Sequence, residues 1–93
     1  MITDETVIII PECVNYNIAD DGAVVLNVQT GKFFGLDKIG THMWTLLAQH
    51  GSLRTVANIL LKEYDVAEDR LWKDLIDLVE KLKAKGLVEL RER

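Results

Sequence analysis

The chain has 93 residues, of which 48% are hydrophobic and 28% charged, and its formal net charge is −4. This length provides one domain with one small core, and the acidic balance argues against nucleic-acid binding, which depends on clustered cations. The single cysteine, Cys13, excludes an internal disulfide framework and a cysteine-based metal cluster within one chain.

An apolar run from Val7 to Ile10 lies within residues 1–12, which we predict to be an N-terminal extension or an extra strand. Such a run could pair with the following sheet, or it could mediate self-association. The sequence therefore leaves the choice between monomer and dimer open.

Residues 13–36 predict a sheet. Apolar residues at 14, 16 and 18 alternate with asparagines, which is typical of a half-buried strand. A second, more apolar strand follows at residues 23–28, and a short third strand at residues 33–36. Turn residues with glycine separate them, so the spacing predicts two successive hairpins in an antiparallel sheet.

Residues 37–90 predict three helices and a short C-terminal strand. Asp37 caps the first helix, Gly51 ends it, and Ser52 caps the second helix. The third helix is predicted from about Glu68 to Lys85. Its predicted core stripe consists of Leu71, Leu75, Leu78 and Leu82. A second apolar stripe beside it consists of Trp72, Ile76 and Val79.

Three strands followed by three helices form an α+β pattern. A three-helix unit with a small antiparallel sheet predicts a winged helix-turn-helix fold, in a single domain over residues 1–93.

The residues offer no catalytic constellation. His42 and His50 are eight positions apart without a nearby cysteine, so they lack metal-ligand spacing. Cys13 has no adjacent histidine or basic residue that would activate it as a nucleophile. We therefore predict a protein that is not an enzyme and that uses no cofactor or metal. The absence of a long apolar run and the acidic start of the chain favour a cytoplasmic protein without a membrane contact.

A set of motifs in a fixed order resembles the PqqD-like family. The motifs are Asp21-Gly22-Ala23-Val24-Val25-Leu26-Asn27-Val28, Thr30-Gly31-Lys32-Phe33-Phe34-Gly35-Leu36, Gly40, Trp44 with Leu46-Leu47, Tyr64-Asp65-Val66, Asp74, Leu82 and Gly86-Leu87-Val88. The resemblance implies a recognition domain for the leader of a ribosomally made and post-translationally modified peptide. With Phe33-Phe34 in a free-standing chain, the sequence is most similar to leader-binding proteins of lasso-peptide biosynthesis.

That resemblance also implies partners. They are a precursor peptide, a cysteine leader peptidase of transglutaminase-like type, and an ATP-dependent macrolactam cyclase. Two other functions stay open: a PqqD-type peptide chaperone that serves a radical enzyme, and a winged-helix regulator that binds DNA.

In the family the leader lies along the third strand and against the last helix, as an added β-strand. For this chain the resemblance implies pairing with the backbone of residues 32–36. Alternation along the strand predicts Phe33 on the opposite face from Phe34 and Leu36. Trp72 and Ile76 either wall a groove or belong to the core. The predicted peptide-binding residues are Lys32, Phe33, Phe34, Gly35, Leu36, Asp69, Arg70, Trp72, Lys73, Ile76, Asp77, Val79 and Glu80.

Overall fold

A computed structural model describes residues 2–92, so the Met1 and Arg93 ends of the predicted domain lie outside the described residues. The predicted α+β fold, a three-stranded antiparallel sheet followed by three helices, is confirmed, and the arrangement is consistent with a winged helix-turn-helix. The elements are β1 Thr6–Ile9, β2 Val14–Ala19, β3 Gly22–Asn27, β4 Phe33–Leu36, α1 Lys38–His50, α2 Leu53–Glu63, α3 Glu68–Ala84 and β5 Glu89–Glu92.

The apolar run near the N-terminus forms β1, which pairs with β5 in a separate two-stranded antiparallel sheet. The Ile8 side chain is buried, and its N–H donates to the Gly51 carbonyl oxygen at 2.8 Å. The run therefore pairs with the C-terminal strand instead of the main sheet. That strand starts at Glu89, and the two residues before it, Leu87 and Val88, are packed into the core.

The main sheet has the order β2-β3-β4, with Val14 opposite Asn27 and Val25 opposite Phe34. Helix α1 packs against β3 and β4. The predicted half-buried pattern of β2 is wrong beyond its first residue, because only Val14 is buried while Tyr16 and Ile18 remain 47% and 51% exposed. The Tyr16 ring packs edge-on against Trp44 of α1 with its centroid 5.4 Å away, so α1 covers this edge strand only in part.

The predicted helix ends at Asp37, Gly51 and Ser52 are confirmed. The Asp37 carboxylate accepts a hydrogen bond from the Gly40 N–H at 2.7 Å, and Gly51 ends α1 with a φ of 75°. The Ser52 hydroxyl caps α2. None of the described helices combines the length and apolar character needed to cross a lipid bilayer.

The core stripe of α3 differs from the predicted one by one position. Its buried residues are Leu71, Leu75, Val79 and Leu82, whereas Leu78 is only half-buried. Val79 lies about 100° around the helix axis from Leu78, and its side chain is fully buried. Val79 therefore points into the core, and the predicted placement of Val79 on the outer stripe is corrected.

A buried side chain, Asn27, joins the β3–β4 turn to the end of α3. Its Nδ2 donates to the Gly86 carbonyl oxygen at 2.9 Å, and its Oδ1 accepts from the Gln29 and Thr30 N–H groups at 2.9 and 3.2 Å. Asn27 is 5% exposed and its three hydrogen bonds are partly buried, so removing the side chain would leave all three backbone groups without this partner.

We expect Asn27→Ala to lower the free energy of unfolding by about 2–3 kcal/mol, because it leaves partly buried polar groups unsatisfied. Asn58→Ala, at an exposed position on α2, is the matched control and should change it by less than about 0.5 kcal/mol. Urea unfolding of both variants measures the difference. Equal stabilities would contradict the role assigned to Asn27.

Candidate peptide-binding site

The strand β4 is an edge of the main sheet, and its hydrogen-bond pattern fixes which backbone groups are free. The Asn27 N–H donates to the Lys32 carbonyl oxygen at 2.9 Å. Because directly opposed residues in an antiparallel ladder alternate between bonded and non-bonded pairs, Phe34 bonds toward β3. The N–H and C=O groups of Phe33 and Gly35 therefore point away from the sheet, where an added strand could bond to them.

The side chains of β4 divide between two faces as the alternation predicts. Leu36 is buried and Phe34 is half-buried, whereas Phe33 is 62% exposed on the opposite face. A Cβ atom built on Gly35 would meet nothing within 4 Å. The edge is therefore open at Phe33 and Gly35, the two residues whose backbone groups point away from the sheet.

The turn before β3 also positions β4. A Cβ atom at Gly22 would lie 2.3 Å from the Leu36 carbonyl oxygen, which is closer than any side chain can approach. Glycine at this position therefore allows the β2–β3 turn to lie directly against the end of β4.

A groove of about 290 Å³ separates β4 from α3. Apolar side chains meet in it from both elements, while charged side chains stand on α3 and at Asp37, which follows β4. The residues that line the groove are Phe34, Gly35, Leu36, Asp37, Gly40, Asp74, Asp77, Leu78 and Lys81. An extended peptide on the β4 edge would direct every second side chain toward this groove.

Four of the predicted contact residues line this groove, namely Phe34, Gly35, Leu36 and Asp77, and Phe33 lies beside it on the outer face. Each of the five belongs either to the edge strand or to the helix face opposite it.

Trp72 and Ile76 do not line the groove. At about 100° per residue they project from the flank of α3 opposite to Asp74 and Leu78, with the buried stripe between the two flanks. Trp72 is half-buried and packs against the core. The expectation that these side chains wall a groove next to the third strand is therefore not met in this structure.

The other predicted residues are exposed side chains around the site. Lys32 directly precedes β4, and Arg70 lies one helical turn before Asp74 on the groove side of α3. Glu80 lines a different hollow of about 280 Å³ with Ile2 and Leu90, on the other side of the helix. The two remaining residues are Asp69, whose carboxylate accepts from the Arg70 N–H at 2.9 Å, and Lys73.

Sequence reasoning did not assign Asp37, Gly40, Asp74, Leu78 or Lys81 to the site, although all line the groove. The signal was present in α3, because positions 74, 78 and 81 follow the 4-3 spacing of one helix face. Because Leu78 was assigned to the core, the face with Asp74 and Lys81 was not recognised as part of the site. Three carboxylates and one ammonium group give this part of the surface a negative balance.

Most of the chain is similar to a known protein family. The family model described as coenzyme PQQ synthesis protein D (PqqD) matches residues 22–88. No curated protein is significantly similar to the chain in sequence.

Two solved structures are similar to the chain over most of its length. TbiB1, in complex with the TbiA(beta) leader peptide, is 33% identical with a TM-score of 0.81, over 87% of this chain and 94% of that chain. A lasso peptide synthetase B1, complexed with the leader peptide, is 24% identical with a TM-score of 0.77, over 88% of this chain and 96% of that chain. The second likeness shows the fold alone.

Proposed function

Because the chain belongs to the PqqD family, we propose that it binds the leader region of a ribosomally made precursor peptide in lasso-peptide biosynthesis. The observation that carries this proposal is the pair of outward-facing backbone units at Phe33 and Gly35, beside the groove formed with α3. The 33% identity to a protein solved with its leader peptide supports the assignment of the ligand as a leader.

Strand addition provides the first part of the binding energy. The leader pairs with β4 and satisfies the free N–H and C=O groups of Phe33 and Gly35. Each such bond replaces bonds to water and contributes only about 0.5–1.5 kcal/mol. Backbone pairing therefore holds many sequences in an extended form but does not choose among them.

Side chains provide the selection. Leader residues that point toward the groove contact Phe34 and Leu78, both half-buried in the free protein. Residues that point the other way lie beside exposed Phe33. Asp74, Asp77 and Lys81 stand at the α3 side of the groove, where charged leader residues set the register more than the affinity.

We expect Gly35→Pro to abolish strand addition, because proline lacks the N–H and its ring obstructs the incoming strand. The affinity for the leader of the precursor encoded beside this chain should fall at least about tenfold. Gly35→Ala keeps the N–H and has space for its Cβ atom, so it is the matched control and should change the affinity by less than about threefold.

Fluorescence polarisation with a labelled leader measures both variants, after thermal melting has shown that each one folds. Unchanged affinity in a folded Gly35→Pro protein would contradict binding at the β4 edge.

A second pair of variants distinguishes the two flanks of α3. Leu78→Ala removes apolar surface from the groove and should weaken leader binding about fivefold, the effect of losing about 1 kcal/mol of burial. Ile76→Ala removes a half-buried side chain of similar size from the opposite flank and should leave the affinity within about twofold. If only the Ile76 variant loses affinity, the leader occupies the opposite flank instead.

The proposal extends to delivery of the bound precursor. The protein does not catalyse a reaction itself; it presents the precursor to a cysteine leader peptidase and to an ATP-dependent macrolactam cyclase in the cytoplasm. Gly35→Ala protein should accelerate cleavage of the precursor by that peptidase, whereas Gly35→Pro protein should not. Turnover by the purified chain alone would contradict a purely adaptor role.

Two other functions have different support. A PqqD-type chaperone for a radical enzyme uses the same edge and is favoured by the description of the matching family. Binding to the leader of a radical-modified precursor, and not to a lasso leader, would favour the chaperone function.

DNA binding has little support, because the only cations of α2 are Arg54 and Lys62, and Arg54 pairs with Asp4.

A further inference from the structure

The strand β2 forms the other edge of the main sheet, and its free backbone groups can also be identified. The Val28 N–H donates to the Cys13 carbonyl oxygen at 2.9 Å, which makes these residues a bonded pair. In the alternating ladder, Asn15 and Asn17 then bond toward β3. The N–H and C=O groups of Tyr16 and Ile18 point away from the sheet.

The β2 edge carries none of the features that usually block strand addition. Its six residues from Val14 to Ala19 include no charge and no proline. The side chains of Tyr16 and Ile18, the residues whose backbone groups are free, are each about half exposed. A hollow of about 270 Å³ adjoins the strand, lined by Asn15, Tyr16, Asn17, Val24 and Leu26.

The charges at the two ends of β2 indicate which strand would pair there. Glu12 precedes the strand and Asp20 and Asp21 follow it, all with exposed side chains. An antiparallel second copy centred near Tyr16 would bring Glu12 opposite Asp20, and a parallel copy in register would also bring like charges together. A strand with a basic residue at each end is instead complementary to both ends.

We propose that β2 is a second strand-addition edge, which binds an extended segment of a partner protein. The segment has apolar side chains opposite Tyr16 and Ile18 and a basic residue at each end. Because β3 separates β2 from β4, a peptide on β4 leaves this edge free. One sheet can therefore hold a peptide and a partner protein at the same time, a property that goes beyond leader binding.

The probe is the synthetic nonapeptide Lys-Thr-Val-Thr-Val-Thr-Val-Thr-Lys, which matches the nine positions from Glu12 to Asp20. We expect it to shift the backbone amide signals of Tyr16 and Ile18 in the ¹⁵N-labelled protein, and to bind about tenfold more tightly than the same peptide with glutamate at both ends. Equal affinities, or shifts centred on Phe33 and Gly35, would overturn the proposal.

Two variants localise the binding. Ile18→Lys adds a charge to the β2 edge and should lower the affinity for the lysine-ended peptide at least about tenfold. Phe33→Lys adds the same charge at an exposed position of β4 and should lower it by less than about twofold. The reverse order would overturn the proposal.

Sedimentation velocity tests self-association as the alternative occupant. A wild-type dimer that Ile18→Lys dissociates would show that a second copy occupies β2, and would overturn the assignment to a partner segment. Leader affinity, measured on the same proteins, reports on β4 separately, so failure at one edge is distinguishable from failure at the other.

Discussion

The hydrogen bonds of the Asn27 side chain hold together the two elements that form the groove. The Oδ1 atom accepts hydrogen bonds from the turn that leads into β4, and the Nδ2 atom donates to the backbone just after α3. The distance between the edge strand and the helix therefore depends on a partly buried contact between residues 59 positions apart. A groove fixed in this way is formed before a ligand arrives, which reduces the ordering cost of binding.

The sheet itself is small, and a three-stranded sheet necessarily has two edges. Natural proteins commonly block such edges with charged residues, proline or bulges. Here both edge strands are uncharged and continuous. At β4 the adjacent helix turns the open edge into a groove with apolar and charged sides, which is what a peptide site requires. At β2, α1 contacts the inner face through Trp44 and Tyr16, whose ring centroids are 5.4 Å apart, and no groove is formed with α3. Half-exposed side chains and acidic residues at both ends distinguish this edge.

Much of this arrangement follows from local sequence signals. The α+β pattern, the caps at Asp37 and Ser52 and the outward position of Phe33 all depend on short-range periodicity or turn chemistry, which sequence reports directly. The error on α3 has the same origin, because a wide apolar face allows the core stripe to be read through Leu78 or Val79. Three of the four predicted core positions are correct, but the groove lies on the flank of Asp74 and Leu78 instead of the flank of Trp72 and Ile76. Helix periodicity separates the two flanks without indicating which one faces β4. The pairing of β1 with β5 and the hydrogen bond from Asn27 to Gly86 join distant parts of the chain, so no local sequence pattern predicts them.

A peptide that adds to β4 forms hydrogen bonds with the backbone of Phe33 and Gly35. Amide hydrogen exchange by NMR tests this bonding most directly, because it reports each N–H separately. In the free protein the Phe34 amide should exchange slowly and those of Phe33 and Gly35 quickly. With saturating leader peptide, exchange at Phe33 and Gly35 should slow at least about tenfold while Phe34 stays protected. Unchanged exchange at both residues in the saturated complex would contradict the account.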